Sequence, residues 1–337
     1  MSLLQDSDTE NFIPTIDDVR DAARQLSGHA VRTPLLESRL LNERVGGRVL
    51  IKAEVLQRTG SFKFRGAFNH ISRLNKDQLQ GGIVAYSSGN HAQGVALAAT
   101  LNDTTATIIM PADAPASKIA NTQKYGASVV TYDRNSGNRE AIGEKLCKET
   151  GARLVRPYDD PWVIAGQGTT GLEIAEQCRE KEILLDAVLA PAGGGGLIAG
   201  TALAMKSDMP GAEIYCCEPE GFDDYRRSLI SGQREANVPG PTSICDAIVT
   251  PMPGELTFPI NKELLSGGFA VTDAEVEHAM AVAFSDLKIV VEPGGAVALA
   301  AVLSGKFDAT GKTITVVTSG GNVDPAAFAD IVNRHSV

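Results

Sequence analysis

Short apolar runs alternate along this chain with longer segments in which apolar residues recur at helical spacing. The runs predict strands at residues 48–54, 83–86, 106–110, 128–132, 187–190, 213–217 and 313–317. The intervening periodic segments predict helices, among them 15–25, 90–100, 117–125, 139–149, 168–178, 273–284 and 295–303. Such regular alternation is typical of parallel sheets covered by helices on both faces. The sequence therefore predicts an α/β protein with open parallel sheets.

The alternation also indicates two lobes. Three strand and helix units follow one another closely within residues 82–157, which predicts a small separate domain. The polar, proline-bounded segment 156–161 is the expected crossing to a large domain built from residues 1–81 and 158–337. Open α/β sheets place their ligands beyond the carboxyl ends of their strands, so the loops there are the candidates for function.

Composition and charge exclude several classes of protein. The net charge of -10 and the lack of a basic stripe argue against a nucleic-acid surface. The uncharged window at 187–205 is interrupted by Pro191 and four glycines, which favours a strand, turn and buried helix over a membrane span. The polar first ten residues lack the features of a secretory signal, and the five cysteines form no CxxC pair. We therefore expect a cytoplasmic protein.

The first chemical candidate is Lys63, which stands between Phe62 and Phe64 at the start of a helical pattern. Desolvation by aromatic neighbours favours the neutral amine, the form that attacks a carbonyl and holds a Schiff base. A lysine in this setting can also lay its stem on apolar surface while its head stays in water. The lysine segment alone does not decide between the two interpretations.

A second candidate is the glycine run at 193–196, between an apolar strand and a helix that opens at Leu197. Unhindered backbone N–H groups at a helix N-terminus bind phosphate. No Lys-Ser/Thr pair follows, so a P-loop that hydrolyses nucleotides is not expected. Gly194-x-Gly196-x-x-Ala199, with Glu218 ending the next strand, also matches a dinucleotide site. An NAD-binding dehydrogenase therefore stays open as an alternative.

Two more loops bear on the choice between a dinucleotide and another phosphorylated cofactor. Ser-Ser-Gly-Asn-His at 87–91 and Thr-Ser-Gly-Gly-Asn at 318–322 each follow a predicted strand. Serine and asparagine are good helix caps, which is a structural role compatible with ligand binding. Four strand-end loops rich in small polar residues, one of them with a shielded lysine, suit a phosphorylated carbonyl cofactor better than a nicotinamide.

Together these motifs resemble the fold-type II, tryptophan synthase β-like family of pyridoxal-phosphate enzymes, in the branch of serine/threonine dehydratases and serine racemases. The resemblance runs from about residue 15 to 324 and rests on the segments 61–67, 87–91, 165–169, 193–197 and 319–322. It implies pyridoxal 5'-phosphate as cofactor, a mobile small domain and a homodimer. No nucleic-acid or membrane partner is expected.

The resemblance also implies the roles of the site residues. The cofactor would be held by Phe62, Lys63, Asn90, Gly193, Gly194, Gly195, Gly196, Leu197, Glu292 and Ser319. In this scheme Lys63 bonds covalently to the cofactor, Asn90 meets its ring hydroxyl, the glycine run holds its phosphate and Ser319 faces its ring nitrogen. Glu292 would support the ring region, with a buried structural acid as an equal alternative. With a serine hydroxyl and not a carboxylate beside its ring nitrogen, the cofactor would be a weaker electron sink.

On the substrate side, the resemblance implies that the substrate carboxylate lies on the loop formed by Ser87, Ser88, Gly89, Asn90 and His91. Arg139 and Thr250 are weaker candidates for substrate contact. The catalytic pair would be Lys63, which removes the α-proton, and Ser88, which in serine racemases supplies the base on the opposite face. Ser88 does not separate elimination from racemisation, because dehydratases of this branch carry it too.

The expected reaction is β-elimination from a β-hydroxy amino acid, with L-threonine and L-serine as first choice, giving a 2-oxo acid and ammonia. A serine or aspartate racemase is the alternative, as is a 3-hydroxyaspartate dehydratase if Arg139 meets a second carboxylate. The NAD-binding dehydrogenase leaves Lys63 and Ser319 unexplained. The sequence ends soon after segment 319–322, so we expect no amino-acid-sensing domain and no inhibition by isoleucine.

The resemblance further implies a Mg or Ca site. Its oxygen donors would be Glu218, the main-chain carbonyl of Phe222 and Asp224, completed by waters. The alternative for this segment is a solvated acidic turn.

Overall fold

The computed structural model describes residues 12–114, 116–133 and 137–335. Their strands are β1 Leu35–Glu37, β2 Arg48–Ala53, β3 Ile83–Tyr86, β4 Ala106–Pro111, β5 Ser128–Tyr132, β6 Arg153–Leu154, β7 Ala187–Pro191, β8 Glu213–Pro219, β9 Gly267–Val271 and β10 Thr313–Thr318. Their helices are α1 Ile16–Leu26, α2 Arg39–Val45, α3 Lys63–Ile71, α4 Lys76–Gln80, α5 Asn90–Leu101, α6 Ala116–Lys124, α7 Arg139–Thr150, α8 Pro161–Glu180, α9 Gly196–Asp208, α10 Asp224–Ser231, α11 Thr257–Leu264, α12 Asp273–Leu287, α13 Pro293–Leu303 and α14 Pro325–Arg334. Two 3₁₀ turns, Glu54–Leu56 and Arg58–Gly60, lead from β2 into α3. The first ten residues, considered above for a secretory signal, lie outside the described part.

The strands form two sheets. One has the order β1-β2-β10-β7-β8-β9 and the other the order β5-β4-β3-β6. The pairs within both sheets are parallel except β1 with β2, which is antiparallel at the edge. The structure thus confirms the predicted α/β class with helices on both faces. It adds one antiparallel edge strand, because the link through α2 is too short for a parallel crossover.

The larger sheet is buried on both faces. Successive residues of a strand point to opposite sides, and in β10 Val316 packs with one core and Val317 with the other. The first core includes α12 and α13, and α13 is apolar and buried along nearly its whole length. The second core includes α8 and α9. Burial on both faces explains why these strands appear in the sequence as continuous apolar runs.

Helix α3, which begins at Lys63, joins the two sheets. Its Phe64 and Phe68 pack into the same core as Ile83 and Ala85 of β3 in the smaller sheet. Phe64 therefore does not shield the Lys63 amine as predicted from the sequence, because it points into this core. Shielding of the amine comes from Phe62.

Helix α10 lies in the segment 221–254 and was not predicted from the sequence. Helix α11 and strand β9 were not predicted from the sequence. These elements are short and either polar or glycine-containing, so their hydrophobic pattern is weak. In the described part of the chain, none of the helices has the length and apolar character that crossing a membrane requires.

Candidate active site

A cavity of about 420 Å³ lies where the carboxyl ends of β2, β3, β7 and β10 meet. Every residue that the sequence assigned to cofactor, substrate or catalysis lines it: Phe62, Lys63, Ser87, Ser88, Gly89, Asn90, His91, Arg139, Gly193, Gly194, Gly195, Gly196, Leu197, Thr250, Glu292 and Ser319. The predicted metal ligands do not line the cavity. The parallel topology explains this convergence, since equivalent ends of parallel strands share one edge.

Lys63 presents its amine to the cavity from the first turn of α3. Its Nζ atom donates to the carbonyl oxygen of Pro157 at 2.7 Å and lies 5.0 Å from the centre of the Phe62 ring. Burial lowers the pKa of the amine to about 8, although the carboxylate of Glu292 acts in the opposite direction. Lys63 can therefore provide a neutral, nucleophilic amine near neutral pH.

The lysine loop is fastened to the loop that carries Ser319. Phe62 N–H donates to the Ser319 carbonyl at 3.1 Å, and Gly321 N–H donates to the Gly60 carbonyl at 2.9 Å. The turn before the lysine is strained, because Thr59 adopts φ 59°, a region that favours glycine. These main-chain bonds fix Ser319 relative to Lys63 before any ligand binds.

The glycine run lines the cavity. The Gly194 carbonyl accepts from Tyr225 and Thr257 hydroxyls at 3.3 and 2.6 Å, and the Gly195 carbonyl accepts from Asn261 at 3.3 Å. Among the described residues, no protein acceptor is recorded for the amides of 193–197. A side chain on Gly195 would also meet the Tyr225 hydroxyl at 1.9 Å. Carbonyls held behind and amides left open at the start of α9 fit a phosphate group.

A chain of side-chain bonds orients Asn90. The Asn90 Nδ2 donates to Glu292, and its Oδ1 accepts from Asn322 Nδ2 at 2.8 Å. Asn322 also donates to the Thr59 carbonyl at 2.7 Å, which connects the chain to the lysine loop. Burial raises the pKa of Glu292 to about 7, although the hydrogen bond from Asn90 lowers it in part. Asn90 keeps one amide hydrogen for a ring oxygen of a bound cofactor.

The loop before α5 offers hydroxyl and amide groups to a substrate. Ser87 accepts from Gly89 N–H at 3.2 Å, while Ser88 lies half-buried on the cavity wall. His91 is buried, and its Nε2 meets the Val155 carbonyl at 2.9 Å. Burial lowers the pKa of His91 to about 3, so its ring is neutral near pH 7. The free N–H groups at the start of α5 can bind a carboxylate, and the neutral His91 adds no charge to this loop.

The cationic side chains of Arg139 and Lys118 also line the cavity. The Arg139 guanidinium lies 5.2 Å from the Tyr86 ring centre, and its Nε donates to Glu140 at 3.0 Å. Lys118 bonds Asp246 at 2.5 Å, with both residues on the cavity wall. Thr250, the other weak substrate candidate, has a buried hydroxyl with no recorded partner among the described residues. Tyr86, Lys118 and Asp246 had no role in the sequence interpretation, which relied on motif positions.

The predicted metal ligands lie next to one another outside the cavity. Glu218 is buried and accepts from the N–H groups of Tyr225 and Arg226, each at 2.9 Å, so it caps α10. Asp224 accepts from Asn237 at 2.6 Å with one oxygen, while its other oxygen has no recorded partner in the described part. Burial raises the pKa of Asp224 to about 6. The described residues hold no group of three or more His, Cys, Asp or Glu side chains arranged around a metal. The cation site therefore stays a prediction, supported by two buried acids and one open oxygen.

Behind the lysine helix lies a buried ion network, defined here as Lys52, Glu54, Arg65 and Glu173. Arg65 donates to Glu54 with Nε and Nη2 at 2.8 Å and to Glu173 with Nη1 at 2.7 Å. Lys52 donates to Glu173 at 2.6 Å. The sequence interpretation did not single out this network. A lysine inside the apolar run of β2 was the signal that could have revealed it.

Comparisons with known proteins agree with this site. A family model described as "Pyridoxal-phosphate dependent enzyme" matches residues 26–320. The chain is 45% identical over 315 residues to the L-threo-3-hydroxyaspartate ammonia-lyase of Pseudomonas sp., covering 94% of this chain and 97% of that protein. A solved threonine deaminase from T.th. has a TM-score of 0.87 and 44% identity over 92% of this chain and 99% of its own. The solved serine racemase of Dictyostelium discoideum has a TM-score of 0.86 and 37% identity over 93% of this chain and 100% of its own.

The family match at 26–320 includes both sheets and the cavity residues from Phe62 to Ser319. They exclude the dehydrogenase alternative, because the glycine run belongs to a pyridoxal-phosphate family and not to a dinucleotide site. The open amides of the glycine run and the partly neutral Lys63 amine fit that cofactor. The chain belongs to the pyridoxal-phosphate-dependent enzymes of fold type II and is an ammonia-lyase of the branch that includes threonine/serine dehydratases and serine racemases.

Proposed function

We propose that this protein converts 3-hydroxyaspartate, a β-hydroxy amino acid with a second carboxylate, to a 2-oxo acid and ammonia by β-elimination of water followed by hydrolysis. The observation that carries the proposal is Arg139, a guanidinium on the wall of the cavity that holds Lys63. The identity of 45% to a Pseudomonas enzyme named for this substrate supports the same choice. L-threonine and L-serine, the first choice from sequence, have no second anion for Arg139 to bind.

The chain's own groups can hold and activate such a substrate. The free N–H groups at the start of α5, beside Ser88, would bind the α-carboxylate. Once the amine of the substrate has replaced Lys63 on the cofactor, the freed Lys63 amine, whose pKa is about 8 in the cofactor-free protein, would take the proton from Cα. When bound, pyridoxal phosphate would supply an electron sink for the pair left at Cα. The Cβ–O bond would then break, and the hydroxyl would leave as water with one proton, which balances the proton taken from Cα. Addition of one water would release ammonia and give the 2-oxo acid.

Arg139 is suited to the distal carboxylate because a guanidinium offers two parallel N–H groups to a planar anion. Its Nε bonds Glu140, and among the described residues no partner is recorded for its two Nη atoms. A hydrogen bond to a charged group contributes about 1.5–3 kcal/mol, so Arg139 can distinguish a dicarboxylate from serine by roughly 10- to 100-fold.

The test measures 2-oxo acid and ammonia from L-threo-3-hydroxyaspartate, L-threonine and L-serine, with the serine enantiomers followed separately. We expect the highest kcat/KM for 3-hydroxyaspartate. Arg139→Met should lower that value at least tenfold and the value for serine much less. The matched control is Arg24→Met on α1, whose side chain is 71% exposed. A wild-type enzyme that prefers serine or threonine, or mainly exchanges serine enantiomers, would refute the proposal.

We further propose that the protein acts as a homodimer in the cytoplasm, with residues 82–157 forming a mobile lobe that closes the cavity. The five cysteines are all free, as expected in a reducing compartment. The smaller sheet is separate from the larger one, and the Lys118–Asp246 ion pair joins the two sides of the cavity. Closure would exclude water from the Lys63 amine.

A further inference from the structure

The Arg139 guanidinium rests on a tyrosine ring that is itself fixed in place. Tyr86 ends β3, and its ring lies 5.2 Å from the Arg139 guanidinium carbon. The ring also faces Gly143, where an added Cβ would stand 3.7 Å from it. Arg139 and Gly143 are four residues apart on α7 and share one helix face. The Tyr86 ring thus packs along the face of α7 that begins at Arg139.

The position of Arg139 has no evident benefit for its own helix. It is the first residue of α7, where the helix dipole disfavours a cation. Asn138 already caps this end by accepting from Ala141 N–H at 3.0 Å. The side chain is nevertheless held on two sides, by the Tyr86 ring on one face and by Glu140 at Nε. A long flexible side chain restrained in this way loses less entropy when it binds an anion.

We propose that Tyr86 is a specificity-determining positioning residue, which holds Arg139 against its ring so that the two Nη atoms meet the distal carboxylate of the substrate. This inference rests on the proposed function and adds the group that makes Arg139 selective. The Tyr86 ring holds Arg139 through the cation–π contact of its face with the guanidinium and through its packing on α7. Removing the ring should therefore weaken discrimination between dicarboxylic and monocarboxylic ligands without removing the arginine.

The experiment compares the ratio of kcat/KM for L-threo-3-hydroxyaspartate to kcat/KM for L-serine in the cofactor-loaded enzyme. Tyr86→Leu should lower this ratio about fivefold, as expected for a partly exposed cation–π contact. Tyr86→Phe keeps the ring and should restore most of the ratio. Tyr125→Leu is the control, because Tyr125 is a half-buried tyrosine within residues 82–157 that does not line the cavity.

A binding measurement separates this role from a general structural one. Inhibition by succinate should weaken about fivefold in Tyr86→Leu, while inhibition by propionate, which lacks the second carboxylate, should change less than about twofold. In an Arg139→Met background, adding Tyr86→Leu should change the kcat/KM ratio less than about twofold, because the two residues act together.

Different failures point to different errors. If Arg139→Met loses the selectivity but Tyr86→Leu keeps it, the positioning role of Tyr86 is wrong and the proposed function stands. A Tyr86→Leu effect that is equal on both substrates, or undiminished in the Arg139→Met background, also overturns the positioning role. If Arg139→Met leaves the ratio unchanged, the dicarboxylate proposal fails, and the inference about Tyr86 fails with it.

Discussion

Two lysines eleven positions apart, Lys52 and Lys63, are both removed from bulk water but have different partners. The Lys52 amine is fully buried and donates to Glu173 at 2.6 Å, Thr33 at 2.7 Å and Gln177 at 3.1 Å. The Lys63 amine has one recorded neutral acceptor among the described residues, the Pro157 carbonyl at 2.7 Å. One amine uses its full hydrogen-bonding capacity, and the other keeps part of it free.

Burial lowers the pKa of both lysines, so the difference between them lies in their partners. Two carboxylates, Glu173 and Glu54, offset part of the desolvation of Lys52, and all three of its protons have acceptors. Around Lys63 the charge of Glu292 compensates only in part, which leaves the amine easy to deprotonate. A buried lysine becomes reactive when the surrounding protein leaves it incompletely paired.

The largest expected contrast is in activity. Lys63→Met removes the amine that bonds the cofactor and takes the α-proton, and we expect kcat to fall about 10⁴-fold or more. Lys52→Met should keep activity within about threefold per folded molecule, because the Lys52 side chain does not line the cavity. The measurement is ammonia release from cofactor-loaded protein. Residual activity above about 1% in Lys63→Met would contradict the assignment.

The second contrast is in stability. Lys52→Met removes one of the two cations paired with the Glu173 carboxylate and the donor to Gln177 Oε1, while the Thr33 carbonyl keeps its bond from Gln177 Nε2 at 2.9 Å. Breaking such a buried pair costs about 3–5 kcal/mol. We expect the urea midpoint of unfolding to fall accordingly. Lys124→Met, on an exposed side chain of α6, serves as the control. A stability equal to that of the control would show that Lys52 contributes nothing to the network.

The third contrast depends on pH. In cofactor-free protein the pKa of Lys63 is about 8, against 10.5 for a free lysine. Below pH 8 both folded and unfolded states carry the proton, and the folded state bears the full cost, up to about 3 kcal/mol. This cost disappears as pH rises from 8 to 10.5. Cofactor-free Lys63→Met should therefore be more stable than wild type at pH 7, and the gain should vanish near pH 10.5.

Thermal unfolding of both cofactor-free proteins across that pH range measures the effect. Lys124→Met again provides the control, with a stability difference from wild type that does not follow this pH profile. A gain that stays constant with pH would mean that shape or packing, and not the charge of Lys63, is responsible.

The sequence was least informative about side-chain direction. Flanking phenylalanines suggested shielding of Lys63 from two sides, yet Phe64 packs into the core shared with the smaller sheet. His70, for which the sequence alone indicates no partner, is 8% exposed, and its Nδ1 lies 2.9 Å from the carboxylate of Asp160. Residues adjacent in a helix point about 100° apart, and the packing surface of each face depends on distant segments.

The sequence alone determined most of the strands and helices, the α/β class and the four loops that surround the cavity. These features depend on local hydrophobic pattern and on the rule that parallel strands end at one edge. Only the tertiary structure decided the partners of these residues. It pairs Lys52 with the Glu173 carboxylate, holds the Gly194 carbonyl with the Thr257 hydroxyl, and places the Tyr86 ring against Arg139. Those contacts join residues 53 to 121 positions apart along the chain, and only the folded chain brings them together.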